Sequence, residues 1–158
     1  MAKYLLSEQD EYAHQPTSDS NFNESVYVNG IDHASATGFW MRLGNRVHEG
    51  HAELQLCFYL PDGRLACQFQ RPSIADNESF CAGGMSYTVD KPHHSVSMGY
   101  EGEVMLLDDL NLLRNPRRLF TEAKKHSITV SSKLTNISPV HGGAPSDDDQ
   151  ETMYGRDF

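Results

Sequence analysis

The 158-residue chain has few cysteines, an excess of acidic over basic residues and no long apolar run. Thirteen Lys and Arg stand against 22 Asp and Glu, which gives a formal net charge of -9. A surface of that sign repels nucleic acid and anionic lipid, so charge-driven binding to either is excluded. No apolar run approaches the roughly 18 residues that a membrane-spanning helix requires. We therefore expect no nucleic-acid partner and no membrane insertion.

The length and composition predict one domain with a polar extension at each end. A chain of 158 residues with 38% hydrophobic content fits a single core. The N-terminus turns acidic at Glu8 before a signal-peptide core can form, which predicts a cytoplasmic protein. We expect an arm over residues 1–24, a β domain over 25–137 and an acidic loop or linker over 138–158. The linker could lead to a second half of a longer protein.

The three cysteines, Cys57, Cys67 and Cys81, predict free thiols rather than a disulfide or a metal site. Their number is odd, and no export signal precedes them. No Cys-x-x-Cys motif occurs, so a thiolate zinc site and a thioredoxin-type motif are excluded. The histidines form no His-x-His on one strand face either. We therefore expect no metal site and no cofactor.

Apolar and polar residues alternate with a period of two, the pattern of β-strands with one buried face. The alternation is clearest over residues 52–60 and 65–70, which flank the turn sequence Pro61-Asp62-Gly63-Arg64. Asp-Gly favours a two-residue type I′ hairpin turn. That turn predicts a register in which Cys57 and Cys67 point to opposite faces of the sheet.

A second hairpin is predicted over residues 85–100. Residues 85–89 and 96–100 alternate in the same way, and a four-residue loop at 91–94 would place Val89 opposite Val96. Pro92 at the second loop position suits a type I turn.

Further strands are predicted at residues 25–29, 38–43, 103–107 and 127–135. The only predicted helix lies within 109–126, where Pro116 limits it to one or two turns around 117–124. Eight or so short strands joined by tight hairpins predict an all-β fold. The expected architecture is an antiparallel meander that closes into a barrel or folds into a sandwich, with at most one or two short helices.

The segment over residues 14–40 combines polar and aromatic side chains in a pattern that suits a small-molecule pocket. Such pockets have apolar walls and a few polar groups that orient the ligand. The polar candidates are His14, Asp19, Asn21, Glu24, Asn29, Asp32 and His33, and the aromatic ones are Phe22, Tyr27, Phe39 and Trp40. The alternative interpretation is that these residues cap turns and close one end of the barrel.

The same segment resembles the opening of a bacterial family of two-part proteins. The motifs are His14-Gln15-Pro16, Ser18-Asp19-x-Asn21-Phe22 and Tyr27-x-Asn29-Gly30. That family is similar to the carotenoid 1,2-hydratase (hydroxyneurosporene synthase) superfamily, whose fold is a pair of lipocalin-like β-barrels. The chain departs from the family pattern at Ser25, where an Arg is expected, and at Val28, where a Phe is expected.

The resemblance implies that the chain is the N-terminal lipocalin-like half of such a protein. The implied function is binding of a bulky apolar small molecule (terpenoid, steroid or polyketide-like) in the barrel cavity, beside a second barrel half or in a homodimer. One alternative is a cofactor-free hydratase, isomerase or cyclase acting on an apolar alkene, with a carboxylic acid kept protonated by burial. A purely structural half-domain is the other alternative, because a fold does not by itself confer an activity.

Position in the segment, together with the resemblance, supplies the site residues that we expect. The candidate catalytic residues are Asp19, Glu24, Asp32 and His33. The candidate ligand-binding residues are His14, Tyr27, Asn29 and Trp40 of this segment, together with Tyr87 of the second predicted hairpin.

Overall fold

Sequential hairpins build one antiparallel sheet in the computed structural model, which describes residues 7–138 and Val140. Its strands are β1 (Glu24–Asp32), β2 (Thr37–Arg46), β3 (His51–Tyr59), β4 (Leu65–Gln70), β5 (Cys81–Ala82), β6 (Met85–Lys91), β7 (Ser95–Leu107) and β8 (Lys124–Thr135). The helical segments of the described residues are α1 (Pro116–Glu122) and short 3-10 turns at Glu8–Glu11, Val47–Glu49 and Leu110–Arg114. The predicted all-β antiparallel class is confirmed. None of these helical segments has the length and apolarity that crossing a bilayer demands.

Strand β7 joins the part of the sheet formed by β1 to β4 to the part formed by β6 and β5. The strand order is β1-β2-β3-β4-β7-β6-β5, and β8 pairs with β7. Residues 95–100 of β7 pair with both β6 and β8, and residues 105–106 pair with both β4 and β8. Strand β8 therefore occupies one edge of β7, while β6 and β4 share the other. The predicted separate strand at 103–107 is the C-terminal part of β7.

The sheet does not close into a complete barrel. Strand β1 lies at one end of the strand order, and β8 has β7 as its strand partner. Within the described residues, each of these two strands therefore keeps one edge without a strand partner.

The inner face of the sheet carries the main core. Strands β2 and β3 bury alternate residues on this face, and Met41, Leu43, Leu54 and Leu56 have no exposed surface. Met98 of β7 belongs to the same buried cluster, so residues of β2, β3 and β7 share one core. Fully burying an aliphatic side chain contributes about 1.5–3 kcal/mol to the free energy of unfolding. Burial of the apolar face that the alternation predicts is therefore the main source of stability in this part of the sheet.

A second, smaller core lies on the outer face, under the segment between β7 and β8. Leu119 of α1 is buried there against Cys57, Cys67, Met105 and Leu107. The helix forms because the Asn115 side chain caps it by accepting a hydrogen bond from the Arg118 backbone N–H at 3.2 Å, and Pro116 occupies its first turn. This helix lies within the predicted interval 109–126.

The β3–β4 hairpin has a three-residue loop, so the predicted register is wrong by one residue. Cys57 lies directly opposite Cys67, and both point to the outer face. The Gly63 backbone N–H donates to Leu60 O at 3.0 Å, and Gly63 has a φ of +84°. These features define a type I turn followed by a left-handed residue. The fixed φ of Pro61 suits the second position of that turn, which explains why it forms instead of type I′.

The β6–β7 hairpin has the predicted pairing with a shorter loop. Val89 lies opposite Val96, and Met85 lies opposite Tyr100. A register shift between Val89 and Lys91 lets Lys91 pair with Ser95, so the loop is three residues long instead of four.

Two glycines with positive φ give a matched test of the turn geometry. Gly63 would meet nothing within 4 Å if it carried a Cβ, whereas the Cβ of an alanine at Gly84 (φ +88°) would lie 2.1 Å from Glu101 O. We expect Gly63→Ala to lower the free energy of unfolding by about 1 kcal/mol, from backbone strain alone. Gly84→Ala should lower the free energy of unfolding by clearly more, because the backbone oxygen of Glu101 must move to make room for the Cβ. Urea denaturation checks both, with Gly63→Asn as the tolerated control; equal losses at the two glycines would contradict the described turns.

Candidate functional site

An apolar cleft of about 720 Å³ lies between β8 and the first four strands of the sheet. Its lining is formed by residues 30–32, 37–39, 58–60, 66 and 128–132. The first two stretches come from the β1–β2 hairpin, the next two from the β3–β4 hairpin, and the last from β8. We call this space the β8 cleft.

Hydrophobic side chains from facing strands form the walls of the β8 cleft. Phe39 and Phe58 are direct partners across β2 and β3, and their ring centroids lie 6.3 Å apart. Ile128 and Val130 are half-buried on the cleft side of β8, two residues apart as strand alternation requires. The walls therefore suit an apolar molecule.

Within the part of the chain that the structure describes, Asp32 is the one residue of the cleft lining with a side chain charged at neutral pH. It ends β1 and begins the turn into β2. The Ser35 hydroxyl donates to Asp32 Oδ2 at 2.6 Å, and the Ala34 backbone N–H donates to Oδ1 at 3.0 Å. These hydrogen bonds lower the pKa of Asp32 below its ordinary value. Asp32 is therefore an exposed, ionised carboxylate at the edge of an apolar space.

A second polar cluster fastens the N-terminal arm to the sheet; we call it the arm cluster (His14, Glu24, Asn45 and Asn77). Glu24 accepts hydrogen bonds from the His14 imidazole, from the His14 backbone N–H at 3.0 Å and from Asn77 Nδ2 at 2.7 Å. Asn77 in turn accepts from the buried Asn45 Nδ2 at 2.9 Å. Two predicted site residues, His14 and Glu24, are thus brought together, at a distance along β1 from the cleft lining.

The ionisation of the arm cluster follows from these contacts. The hydrogen bond to Glu24 is the main reason why the pKa of His14 is raised. Burial by itself would raise the pKa of Glu24, but the hydrogen bonds from His14 and Asn77 outweigh it, and the pKa is lowered. At mildly acidic pH the cluster therefore holds an imidazolium–carboxylate pair.

Glu24 and Tyr87 also line a smaller hollow of about 300 Å³ beside the arm. Burial raises the pKa of the Tyr87 phenol. This hollow contains two of the predicted site residues, but its lining mixes polar and apolar groups and does not include the β8 cleft residues.

Three predicted ligand-binding residues lie on the outer face of the sheet. Asn29 and Trp40 are partners across β1 and β2, and Trp40 packs against the outer core beside Cys57. The Tyr27 ring stacks on Trp40 with centroids 6.4 Å apart and remains 56% exposed. None of Tyr27, Asn29 and Trp40 belongs to the lining of the β8 cleft.

Asp19 and His33 occupy exposed turns. The Asp19 carboxylate accepts a hydrogen bond from the Asn21 backbone N–H at 2.9 Å, which stabilises the turn before β1. His33 follows Asp32 in the β1–β2 turn and is not part of the cleft lining.

Among the predicted site residues, Asp32 is therefore the one that lines the β8 cleft. The main wall residues missed by the site prediction are Phe58, Ile128 and Val130. Their alternation marked them as the buried face of strands, but nothing in the sequence indicated which strands would face each other.

The two buried cysteines are adjacent and unreactive in character. Cys57 and Cys67 are cross-strand partners, and burial raises the pKa of each thiol to about 11. Cys81 is exposed. Among residues 7–138, no three His, Cys, Asp or Glu side chains are grouped so that they could hold a metal ion.

The chain belongs to the family described as Domain of unknown function (DUF7064), whose model matches residues 7–157. No curated protein and no solved structure matches the chain. The match covers the arm, the sheet and the β8 cleft together, so the site described above lies within the family domain.

The cysteine environments predict selective alkylation. At pH 8, iodoacetamide should modify Cys81 quickly and leave Cys57 and Cys67 unmodified, since a pKa two units above the usual 9.0 lowers the thiolate fraction about a hundredfold. Peptide mass spectrometry before and after urea denaturation measures this. Cys81→Ser should leave no rapidly modified site, and fast labelling of Cys57 or Cys67 in the folded protein would show that the outer core is not closed.

The arm cluster predicts a pH-dependent contribution to stability. His14 has a raised pKa, so its contribution is present below the ordinary value of 6.5 and is lost as the pH rises through the raised pKa. Glu24 has a lowered pKa, so its contribution is present above 4.5 and is lost as the pH falls through the lowered pKa. The contact should therefore be strongest between these two ordinary values.

His14→Gln should remove this dependence between pH 5.5 and pH 9. The expected loss at pH 5.5 is below ~1 kcal/mol, because half of the His14 side chain is exposed to solvent. Urea denaturation at both pH values measures it, with His33→Gln as the control that removes an exposed histidine outside the cluster. A wild-type pH dependence in His14→Gln would assign the effect to other groups.

Proposed function

We propose that the β8 cleft binds a bulky apolar small molecule, such as a terpenoid, steroid or polyketide-like compound. The observation that supports this is a space of about 720 Å³ walled by Phe39, Phe58, Ile128 and Val130. Small-molecule pockets of proteins have volumes of about 300–1,000 Å³ and mainly apolar walls with a few polar groups. The β8 cleft has both properties.

The proposed function of the β8 cleft is ligand binding without catalysis. A hydratase or cyclase that protonates an alkene needs a carboxylic acid kept protonated by an apolar environment. In Asp32 and Glu24, hydrogen bonds lower the pKa, so both are ionised at neutral pH. The contacts of these two carboxylates thus favour a binding site over an acid catalyst.

The ligand class and the partner both come from the resemblance to the carotenoid 1,2-hydratase superfamily. The family match itself names no ligand and no activity. A second copy or a second barrel half would fit the open side of the sheet, where Ile31 at the end of β1 is 72% exposed beside the cleft. That pairing, like the identity of the ligand, remains a prediction.

Filling the cleft should abolish the binding of an apolar probe. Nile red, a neutral apolar dye, is expected to bind the wild-type protein saturably with a rise in fluorescence. Val130→Trp places a large ring in the cleft and should weaken binding by about tenfold or more, the equivalent of ~1.4 kcal/mol. Fluorescence titration gives the dissociation constants.

Ser127→Trp is the matched control, because Ser127 is exposed on the same strand and outside the cleft lining. It should bind Nile red like the wild type. The proposal fails if the wild type shows no saturable binding, or if the two tryptophan variants bind the dye equally well while both remain folded by circular dichroism.

A further inference from the structure

The β8 cleft has a polar edge of one sign. Asp32 is its ionised side chain, and the described residues contribute no Lys, Arg or His to the lining. Thr37 and Ser35 extend the polar edge, since their hydroxyl oxygens lie 2.6 Å apart and Ser35 donates onward to Asp32. The remaining polar side chains of the described lining, at Tyr59, Thr129, Ser131 and Ser132, carry hydroxyl groups.

Asp32 retains capacity to accept further hydrogen bonds. A carboxylate offers about four acceptor positions. The Ser35 hydroxyl takes one on Oδ2, and the Ala34 N–H takes one on Oδ1. Both donors belong to the turn and fix the orientation of the carboxylate, and no other side chain of the described residues donates a hydrogen bond to it.

Asp32 also lacks a cationic partner among residues 7–138, where no ion pair to it occurs. The contrast with other carboxylates of the protein is clear: Glu24 faces His14, Glu53 contacts Arg42 and Arg46, and Asp108 contacts Lys124. The protein as a whole carries a net charge of -9, so its field favours positive over negative solutes.

We infer that the β8 cleft is selective for amphiphiles whose head group is a cationic amine, with an uncharged hydroxyl as the weaker alternative and a carboxylate disfavoured. The apolar tail would lie between Phe39 and Phe58 on one side and Ile128 and Val130 on the other, with the head group at Asp32. This inference rests on the proposed function, because it specifies which apolar molecules the same cleft accepts.

The test is displacement of Nile red by three compounds with one tail: decylamine, decanol and decanoate. At neutral pH they carry a positive, a neutral and a negative head group. In low-salt buffer, decylamine should displace the dye at a concentration about fivefold or more below that of decanoate, with decanol between them. Raising the ionic strength should reduce the difference, because salt screens exposed charges.

Asp32→Asn removes the charge while retaining an acceptor for the turn. In this variant the decylamine preference should fall to little more than the effect of overall net charge. Asp76→Asn is the matched control. Asp76 is also exposed, and its carboxylate accepts a hydrogen bond from the Glu78 backbone N–H at 3.1 Å, but it lies outside the cleft lining. The control should keep the wild-type preference.

The outcomes separate the two ideas. If none of the decyl compounds displaces Nile red and the dye itself does not bind saturably, the proposed function is wrong. If all three displace it equally, or if the amine preference persists in Asp32→Asn, the cleft binds apolar molecules but the assigned head-group selectivity is wrong. A preference for decanoate would overturn the inference directly.

Discussion

The pairing of β7 with strands on both of its edges is the constraint on which the site depends. Strand β8 follows one edge along residues 95–106, while the other edge is shared by β6 and β4. Met98, Tyr100 and Val104 bury the inner side of β7 in the main core, so its position is fixed. Because β8 is held by this strand, its inward residues Ile128 and Val130 stay opposite the first hairpins. The β8 cleft is the space that remains between them.

Burial on both faces explains where prediction from the sequence succeeded and where it did not. Leu54 and Leu56 are apolar positions of the alternation over residues 52–60, and the structure buries both. In the same alternation Cys57 shares a face with the polar residues Glu53 and Gln55, yet α1 covers that part of the outer face and buries Cys57 as well. A period of two reports one face of a sheet, and it cannot reveal a helix that covers the other.

The turn between β3 and β4 could be predicted from local sequence, whereas the strands that face each other across the β8 cleft could not. Pro61 and Gly63 favour a three-residue loop, but the Asp62-Gly63 pair also fits a two-residue turn. The two loops give strand registers that differ by one residue, and the structure has the register of the three-residue loop. The facing of β8 toward the β1–β2 hairpin is not a local property at all. It depends on the pairing of β8 with β7 and of β7 with β4, which brings β8 to face a hairpin from much earlier in the chain. This is why Asp32 was predicted and its partners in the lining were not.

The two carboxylates of β1, Glu24 and Asp32, differ in the partners that the fold gives them. Glu24 begins the strand, and His14 and Asn77 satisfy it, so its charge is used to hold the arm. Asp32 ends the strand eight residues later, and its hydrogen-bond donors among the described residues belong to its own turn. A charge that is already paired within the protein contributes little to selecting a ligand, whereas a charge with open acceptor positions beside an apolar wall does so by attraction and by repulsion. The difference between the two carboxylates therefore lies in their partners: Glu24 holds the arm, whereas Asp32 is the carboxylate that we propose contacts the ligand.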